Sequence, residues 1–302
     1  MKKALCVTAI VVSSMVVLAV ALVSFLPTSL VLVTPGVRSR SPYCSKWRAS
    51  WDARLKLRQE RAQQAFAKAS RLIRTEGSLA FWDTPKGRFW IPDQSGAILF
   101  ILLAQEERQI YGRVKPGGTV LDIGAYIGTW TRQALQQGAG LVVAVEPSPE
   151  SLECLRRNLA SEIAGGRVIV YAKGIWDSEG TLGLFENTST GAGNSFVEQS
   201  ETSRIRNGIP VTTIDRMTQE LNLGRVDMIK ADVKGATERL VRGAATIIQR
   251  DGPEIVVSTE EAVDEAAAIA NLIHALRPSY QMRCGPCLLD GREIYTDVLF
   301  FR

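Results

Sequence analysis

The passage that most restricts the fold of this chain runs from Thr119 to Gly128. There Val120-Leu121-Asp122-Ile123 leads straight into Gly124-Ala125-Tyr126-Ile127-Gly128. A short apolar run of this kind reads as a buried strand, and the glycines behind it free the backbone for a tight turn into a helix. The same alternation continues downstream. Strands are expected at Leu141–Glu146, Arg167–Tyr171, Val226–Asp232 and Glu254–Ser258, with helices at Pro149–Leu159, Thr237–Gln249 and Val263–Leu276. Strand and helix in alternation imply a parallel sheet covered on both faces. A final hairpin, Gln281–Leu289 with Glu293–Phe301 across Asp290-Gly291, closes the pattern. A polar insert from Glu186 to Gly208, with a short strand at Asn194–Glu198, reads either as a lid over a substrate or as an ordinary connection between antiparallel edge strands.

The turn has the form D-x-G-x-x-x-G, not the dinucleotide pattern G-x-G-x-x-G. A carboxylate there would repel a pyrophosphate. It suits a cationic ligand, and S-adenosylmethionine carries both an ammonium and a sulfonium. Gly124 and Gly128 let the backbone approach such a ligand, Ala125 lies between them, and the free N–H groups of the following helix can receive its carboxylate. Glu146 comes 24 residues after Asp122 at the end of the second strand. An acidic side chain at that point can take both ribose hydroxyls. The cofactor residues expected are therefore Asp122, Gly124, Ala125, Gly128 and Glu146.

From residue 119 onward the chain resembles the FkbM family of S-adenosylmethionine-dependent methyltransferases. Val120–Gly128 resembles V-D-V-G-A-x-x-G, and Val145-Glu146-Pro147-Ser148-Pro149 resembles x-E-P-x-P. Val211-Thr212-Thr213-Ile214-Asp215 resembles V-x-T-L-D, and Ile229–Ala236 resembles I-K-x-D-V-E-G-A. The chain departs from the last pattern at Lys234 and Thr237, where the family has Glu, although Glu238 is adjacent. The resemblance implies an α/β class I methyltransferase fold, Rossmann-like and doubly wound. Its sheet is mostly parallel, with an antiparallel terminal hairpin, and here one transmembrane helix precedes it. It also implies O-methylation of a small-molecule, sugar or lipid-linked hydroxyl acceptor.

Methyl transfer from a sulfonium needs alignment, exclusion of water and removal of the acceptor's proton, and no metal is required. Lys230 and Asp232 share one strand face at the ligand-binding end of the sheet, so they are the catalytic candidates, with Asp232 as general base. A buried Lys230–Asp232 pair that only stabilises the strand end is the competing reading. Lys234 beside them would attract an anionic substrate. His274, among Ile269, Leu272, Ile273 and Leu276, reads as a structural histidine. Cys284-Gly285-Pro286-Cys287 has thioredoxin-type spacing but leads into a hairpin, so it reads as a turn.

Ahead of this domain, Ala4–Val33 contains no charged residue, long enough for a helix to cross a bilayer. It is longer than the core of a cleaved signal peptide. Eleven basic residues between Arg38 and Arg74, against Asp52 and Glu60 alone, follow it. The excess on that side places the domain in the cytoplasm and could contact anionic lipid. Trp47, Trp51, Leu55, Ala62, Phe66, Ala69 and Ile73 recur at helical spacing, giving an amphipathic helix over Ser45–Arg74. A hairpin at Leu79–Pro92 around Pro85-Lys86-Gly87 and a helix at Gly96–Tyr111 follow. The expected organisation is a membrane anchor at 1–34, an N-terminal extension at 35–112 and the methyltransferase domain at 113–302. Five cysteines, an odd number, suggest no disulfide framework and fit a reducing compartment. The basic run carries no nucleic-acid-reading motif. A reading from another class is a membrane-anchored binding or scaffold protein that has lost turnover, motivated by Lys234 and Thr237.

Overall fold

Seven strands build the central sheet of the computed structural model, which describes residues 35–197, 199, 201–259 and 265–302. They are β1 (Thr119–Ile123), β2 (Leu141–Val145), β3 (Val168–Tyr171), β4 (Met228–Ala231), β5 (Glu254–Ser258), β6 (Met282–Cys284) and β7 (Val298–Phe301). Their order across the sheet is β6-β7-β5-β4-β1-β2-β3. The first five are parallel, and β7 runs antiparallel between β5 and β6. Buried on both faces, β2 and β4 consist almost wholly of enclosed residues. Side chains alternate across the pleat, so Leu121, Ile123, Val143 and Ile229 join one core. The helices Ile214–Glu220, Thr237–Arg242, Ala245–Asp251 and Glu265–Leu276 cover that face. Val120, Val142, Ala144 and Met228 join the other core, packed with Trp130 and Leu155.

The expected strands and helices recur with small shifts at their ends, and three departures have physical causes. The helix read over Ser45–Arg74 is α1 (Lys46–Ala69), capped by Ser45, whose side chain accepts the Arg48 N–H. It stops because Ser70 is extended and Arg71–Glu76, with β-branched Ile73 and Thr75, pairs with strand Leu79–Thr84. Its apolar stripe is also only partly buried. Trp47 and Trp51 are exposed, and Ala49, Ser50 and Phe66 turn inward. The helix read over Thr237–Gln249 breaks into two pieces at Gly243-Ala244. The terminal hairpin also divides. Cys287–Asp290 pairs with Glu293–Thr296 outside the main sheet, while β6 pairs with β7 inside it.

A fourth departure is covalent. Cys44 and Cys287 form a disulfide, with Cα atoms 5.6 Å apart, which corrects the expectation that the cysteines do not pair. Cys284 does not bond Cys287; it ends β6 and remains a thiol. Around the bridge, Asp52 accepts the Cys287 N–H at 2.8 Å and Arg48 donates to the carbonyls of Cys284 and Gly285. Together these contacts tie α1 to the C-terminal strands.

The rest of the N-terminal region is a three-stranded meander, Arg71–Glu76, Leu79–Thr84 and Gly87–Pro92, followed by α2 (Gly96–Arg108). Phe66, Phe89, Ile91, Leu99 and Leu103 form a core of their own that reaches Ile127 and Cys154 of the main domain. After β1 comes α3 (Thr129–Gln136), and after β2 comes α4 (Pro149–Asn158). The polar insert is a long hairpin, Gly180–Asn187 with Ser203–Thr212. Of the short strand expected within it, Ser195 makes isolated bridges to Phe185 and Lys234. No helix among the described residues is long and apolar enough to cross a membrane, and the segment Ala4–Val33 lies outside them.

Candidate cofactor and active site

Chain order reverses on either side of β1, whose neighbours are β2 and β4. Parallel sheets open a crevice at the carboxyl ends of the strands at such a switch point. A cavity of about 260 Å³ lies there. Its walls come from the turn after β1, the ends of β2 and β4, the insert residues Ala192–Phe196, and α2.

The glycine turn is as tight as its sequence implies. Gly124 has φ +78°, and a Cβ there would stand 2.1 Å from the Asp232 carbonyl oxygen. Only glycine lets the turn after β1 meet the end of β4 this closely. Gly128, at φ +84°, lies against Leu155 and Leu159 of the α4 region, where a Cβ would fall 2.6 and 2.7 Å from their methyls. Gly128 therefore serves packing, while Gly124 and Ala125 line the cavity. The N–H groups of Gly124 and Ala125 both donate to the Val145 carbonyl at 3.0 Å. The first N–H groups of α3 are left as the anion-receiving end of the turn.

Glu146 stands where the sequence places it. One carboxylate oxygen accepts the Tyr126 N–H and the other the Ser148 N–H, each at 2.9 Å. Burial raises its pKa to about 7 against those bonds. Each oxygen keeps a lone pair for a hydroxyl, so the residue fits a ribose diol.

Asp122 does not stand where it was expected. It is fully buried behind the turn and absent from the cavity wall. Lys230 Nζ donates to one of its oxygens at 2.9 Å and Thr131 Oγ1 to the other at 2.6 Å. Lys230 also donates to the Gly124 carbonyl at 3.0 Å and lies over the rings of Tyr111 and Trp130. The Lys230–Asp232 pair read from the strand alternation is thus corrected to a Lys230–Asp122 pair between neighbouring strands, in register at Lys230 and Asp122. Its effect is to hold the glycine turn against β4.

Asp232 itself faces the cavity and accepts the Tyr111 hydroxyl at 2.6 Å through Oδ2. Among the described residues its Oδ1 accepts no bond. Lys234 lines the same wall, and the bond from Ser195 Oγ to its carbonyl fastens the insert there. Thr237 is buried with its hydroxyl unpartnered among the described residues, while Glu238 is exposed and paired with Arg242. Glu238 therefore does not take over the place of the family's glutamate. His274 stands in its helix with its ring nitrogens against the Ala270 and Tyr280 carbonyls, away from the cavity.

Sequence reasoning placed the helix α2 but missed its part in the cavity. Glu106 on that helix lines the cavity with Ile98, Ile101, Leu102 and Gln105. Its Oε1 is buried and bonds nothing among the described residues. Burial raises its pKa to about 7, opposed by a hydrogen bond from Thr129 and by the charges of Arg132 and Lys86. The one available signal was its position five residues before Tyr111, at the end of an apolar helix.

With this geometry the comparisons agree on class. The profile of the methyltransferase FkbM domain matches residues 122–278, more than half of the chain, and the chain belongs to that family. The family is one of S-adenosylmethionine-dependent methyltransferases. Among solved structures, methyltransferase FkbM from Methylobacillus flagellatus is 18% identical with a TM-score of 0.47, covering 83% of this chain and 60% of that one. This chain thus spans less than two thirds of that relative's length. A putative methyltransferase from Streptococcus mutans in complex with SAH is 11% identical, with a TM-score of 0.41, 66% of this chain and 96% of that one covered. An O-methyltransferase from Bacillus cereus in complex with SAH is 16% identical, with a TM-score of 0.38, covering 67% of this chain and 78% of that one. No curated protein matches the sequence.

Proposed function

We propose that the protein O-methylates a hydroxyl of a small-molecule, sugar or lipid-linked acceptor, with Asp232 as general base. The observation that carries this reading is an open carboxylate at the end of β4, oriented by Tyr111 and facing the cavity beside Gly124. Bound S-adenosylmethionine supplies an activated methyl group, so the protein's part is alignment, exclusion of water and proton removal. Glu146 receives the ribose, Gly124 and Ala125 shape the floor, and the first turn of α3 receives the carboxylate. Asp232 Oδ1 takes the acceptor's proton, and Tyr111 keeps the carboxylate turned toward the cavity. Lys230, bonded to Asp122 and to the Gly124 carbonyl, positions the turn from the cavity wall.

The membrane tether at residues 1–34 and an anionic-lipid contact along Arg38–Arg74 belong to the same proposal, supported by the uncharged run and the basic excess after it. That excess supports a cytoplasmic domain. The Cys44–Cys287 bridge supports the opposite side, since disulfides persist in oxidising compartments. Protease protection of the domain in sealed vesicles decides between them.

The test of the chemistry uses the full chain in detergent micelles with labelled S-adenosylmethionine and a panel of hydroxyl acceptors. Asp232→Asn should lower turnover by about 10²- to 10⁴-fold with the affinity for S-adenosylhomocysteine unchanged. Turnover that survives the substitution sinks the base assignment. The second reading, a binding protein without turnover, is favoured by Lys234 and by Thr237, whose buried hydroxyl is unpartnered among the described residues. It predicts cofactor binding without methyl transfer, and a gain of transfer in Lys234→Glu with Thr237→Glu.

A further inference from the structure

We infer that Glu106 on α2 holds the ammonium of the cofactor's methionine end, the role that the sequence reading assigned to Asp122. This rests on the cofactor reading above and extends it to a residue outside the matched segment 122–278.

Two acids on this side of the crevice could meet a cation, and the structure separates them. Asp122 has its charge answered by Lys230 and its second oxygen by Thr131, and it forms no part of the cavity wall. Glu106 is part of that wall, with Oε1 enclosed and without a partner among the described residues. An enclosed carboxylate oxygen that accepts nothing is costly, and the cavity wall that Glu106 forms is the side from which a ligand can bring a donor to this carboxylate. No ion pair within 4.0 Å answers Glu106 among the described residues; Arg132 and Lys86 act on it only through space. The group that completes the site is therefore a hydrogen-bond donor, and a cationic one gains most.

Position identifies which donor of the cofactor it is. The Glu106 carbonyl accepts from Gln133 of α3 at 2.7 Å and its carboxyl lies near Thr129, the first residue of that helix, so it stands beside the N–H groups that suit a carboxylate. In an α-amino acid the carboxylate and the ammonium share one carbon. A ligand whose carboxylate lies at the first turn of α3 presents its ammonium within a bond or two of that point, where Glu106 is. The ribose hydroxyls go to Glu146 at the end of β2, held by its own pair of N–H donors. Glu106 and Glu146 thus divide the cofactor between its amino-acid and nucleoside ends.

The test compares two ligands by titration calorimetry on the full chain in micelles. S-adenosylhomocysteine carries the amino acid, and 5′-methylthioadenosine has the same nucleoside and thioether without it. In Glu106→Gln, S-adenosylhomocysteine should bind about 10- to 100-fold more weakly, the worth of a charge-assisted hydrogen bond, while 5′-methylthioadenosine is unaffected. Thr129→Val, which removes the hydroxyl beside Glu106, should give a smaller loss in the same direction, and unchanged 5′-methylthioadenosine binding shows that each variant is folded. Equal weakening of both ligands, or no weakening of S-adenosylhomocysteine, overturns the assignment. Wild-type protein that binds neither ligand overturns the cofactor reading itself, an outcome distinct from the other two.

Discussion

Neutralising one member of the buried Lys230–Asp122 pair tests what the acid of the glycine turn does in this chain. Side-chain exposure is 3% for Lys230 and 0% for Asp122, so neither charge has water to fall back on. Asp122→Asn keeps the shape and the acceptor for Thr131 but leaves a buried ammonium without a counter-charge. Breaking such a pair typically costs 3–5 kcal/mol. The Gly124 carbonyl and the rings of Tyr111 and Trp130 remain around Lys230 and offset part of that, so the lower end, about 3 kcal/mol, is expected. In a domain of this size that is a fall in Tm of roughly 5 °C by differential scanning fluorimetry. Lys230→Met should cost a similar amount. The double substitution should cost clearly less than the two together, because it removes both charges at once. Affinity for S-adenosylhomocysteine should change less than about threefold in folded Asp122→Asn, since Asp122 lies outside the cavity wall. A variant of unchanged Tm that no longer binds the ligand would refute the reasoning and return Asp122 to the ammonium.

Two further outcomes follow from other parts of the fold. Reduction of the Cys44–Cys287 bond, or its replacement by Cys44→Ser with Cys287→Ser, should lower the urea midpoint, by at most about 5 kcal/mol for a closure of 243 residues; if reductant leaves the transition of oxidised wild type unmoved, the bond does not stabilise the fold. Glu106 and Glu146, each raised by burial from 4.5 to about 7, bind protons in the folded chain that the unfolded chain releases between those values. Stability from each is therefore full below about pH 4.5 and declines as pH rises to about 7, by roughly 3 kcal/mol per group. Urea melts at pH 5 and pH 8 should show a smaller loss in Glu146→Gln than in wild type, and an equal loss would count against the buried-acid account.

What the sequence made legible was local. The strand and glycine turn at 119–128 and the Glu146 strand end are patterns within a few residues, governed by periodicity and by backbone geometry that only glycine tolerates. They placed the sheet, the cavity and the acid at the end of β2. What stayed hidden depends on partners far apart in the chain. Lys230 meets Asp122 across 108 residues, Tyr111 meets Asp232 across 121, and Cys44 meets Cys287 across 243. Counting two along a strand correctly put Lys230 and Asp232 on one face, but the adjacent strand supplied Lys230 with a nearer acid. The odd number of cysteines likewise carried no information on pairing, because one bridge and unpaired thiols are as consistent with five as no bridge at all.

The N-terminal region is also more than a spacer between an apolar segment and a catalytic unit. Its helix α2 contributes one wall of the cavity and Glu106, and Tyr111 just beyond it orients Asp232 and stacks edge-on against Trp130. Helix α2 is in turn held by α1, which is bonded to the strands next to β6 and β7 through the disulfide, Arg48 and Asp52. A path of direct contacts therefore runs from the start of the described chain, through α1 and α2, to the carboxylate proposed as base. Whatever fixes the position of α1, whether the C-terminal strands or a membrane surface against Trp47 and Trp51, acts on the same wall that closes the cofactor cavity. A displacement of α1 therefore reaches the cavity without any intermediate element, because α1 and the wall-forming α2 pack against each other.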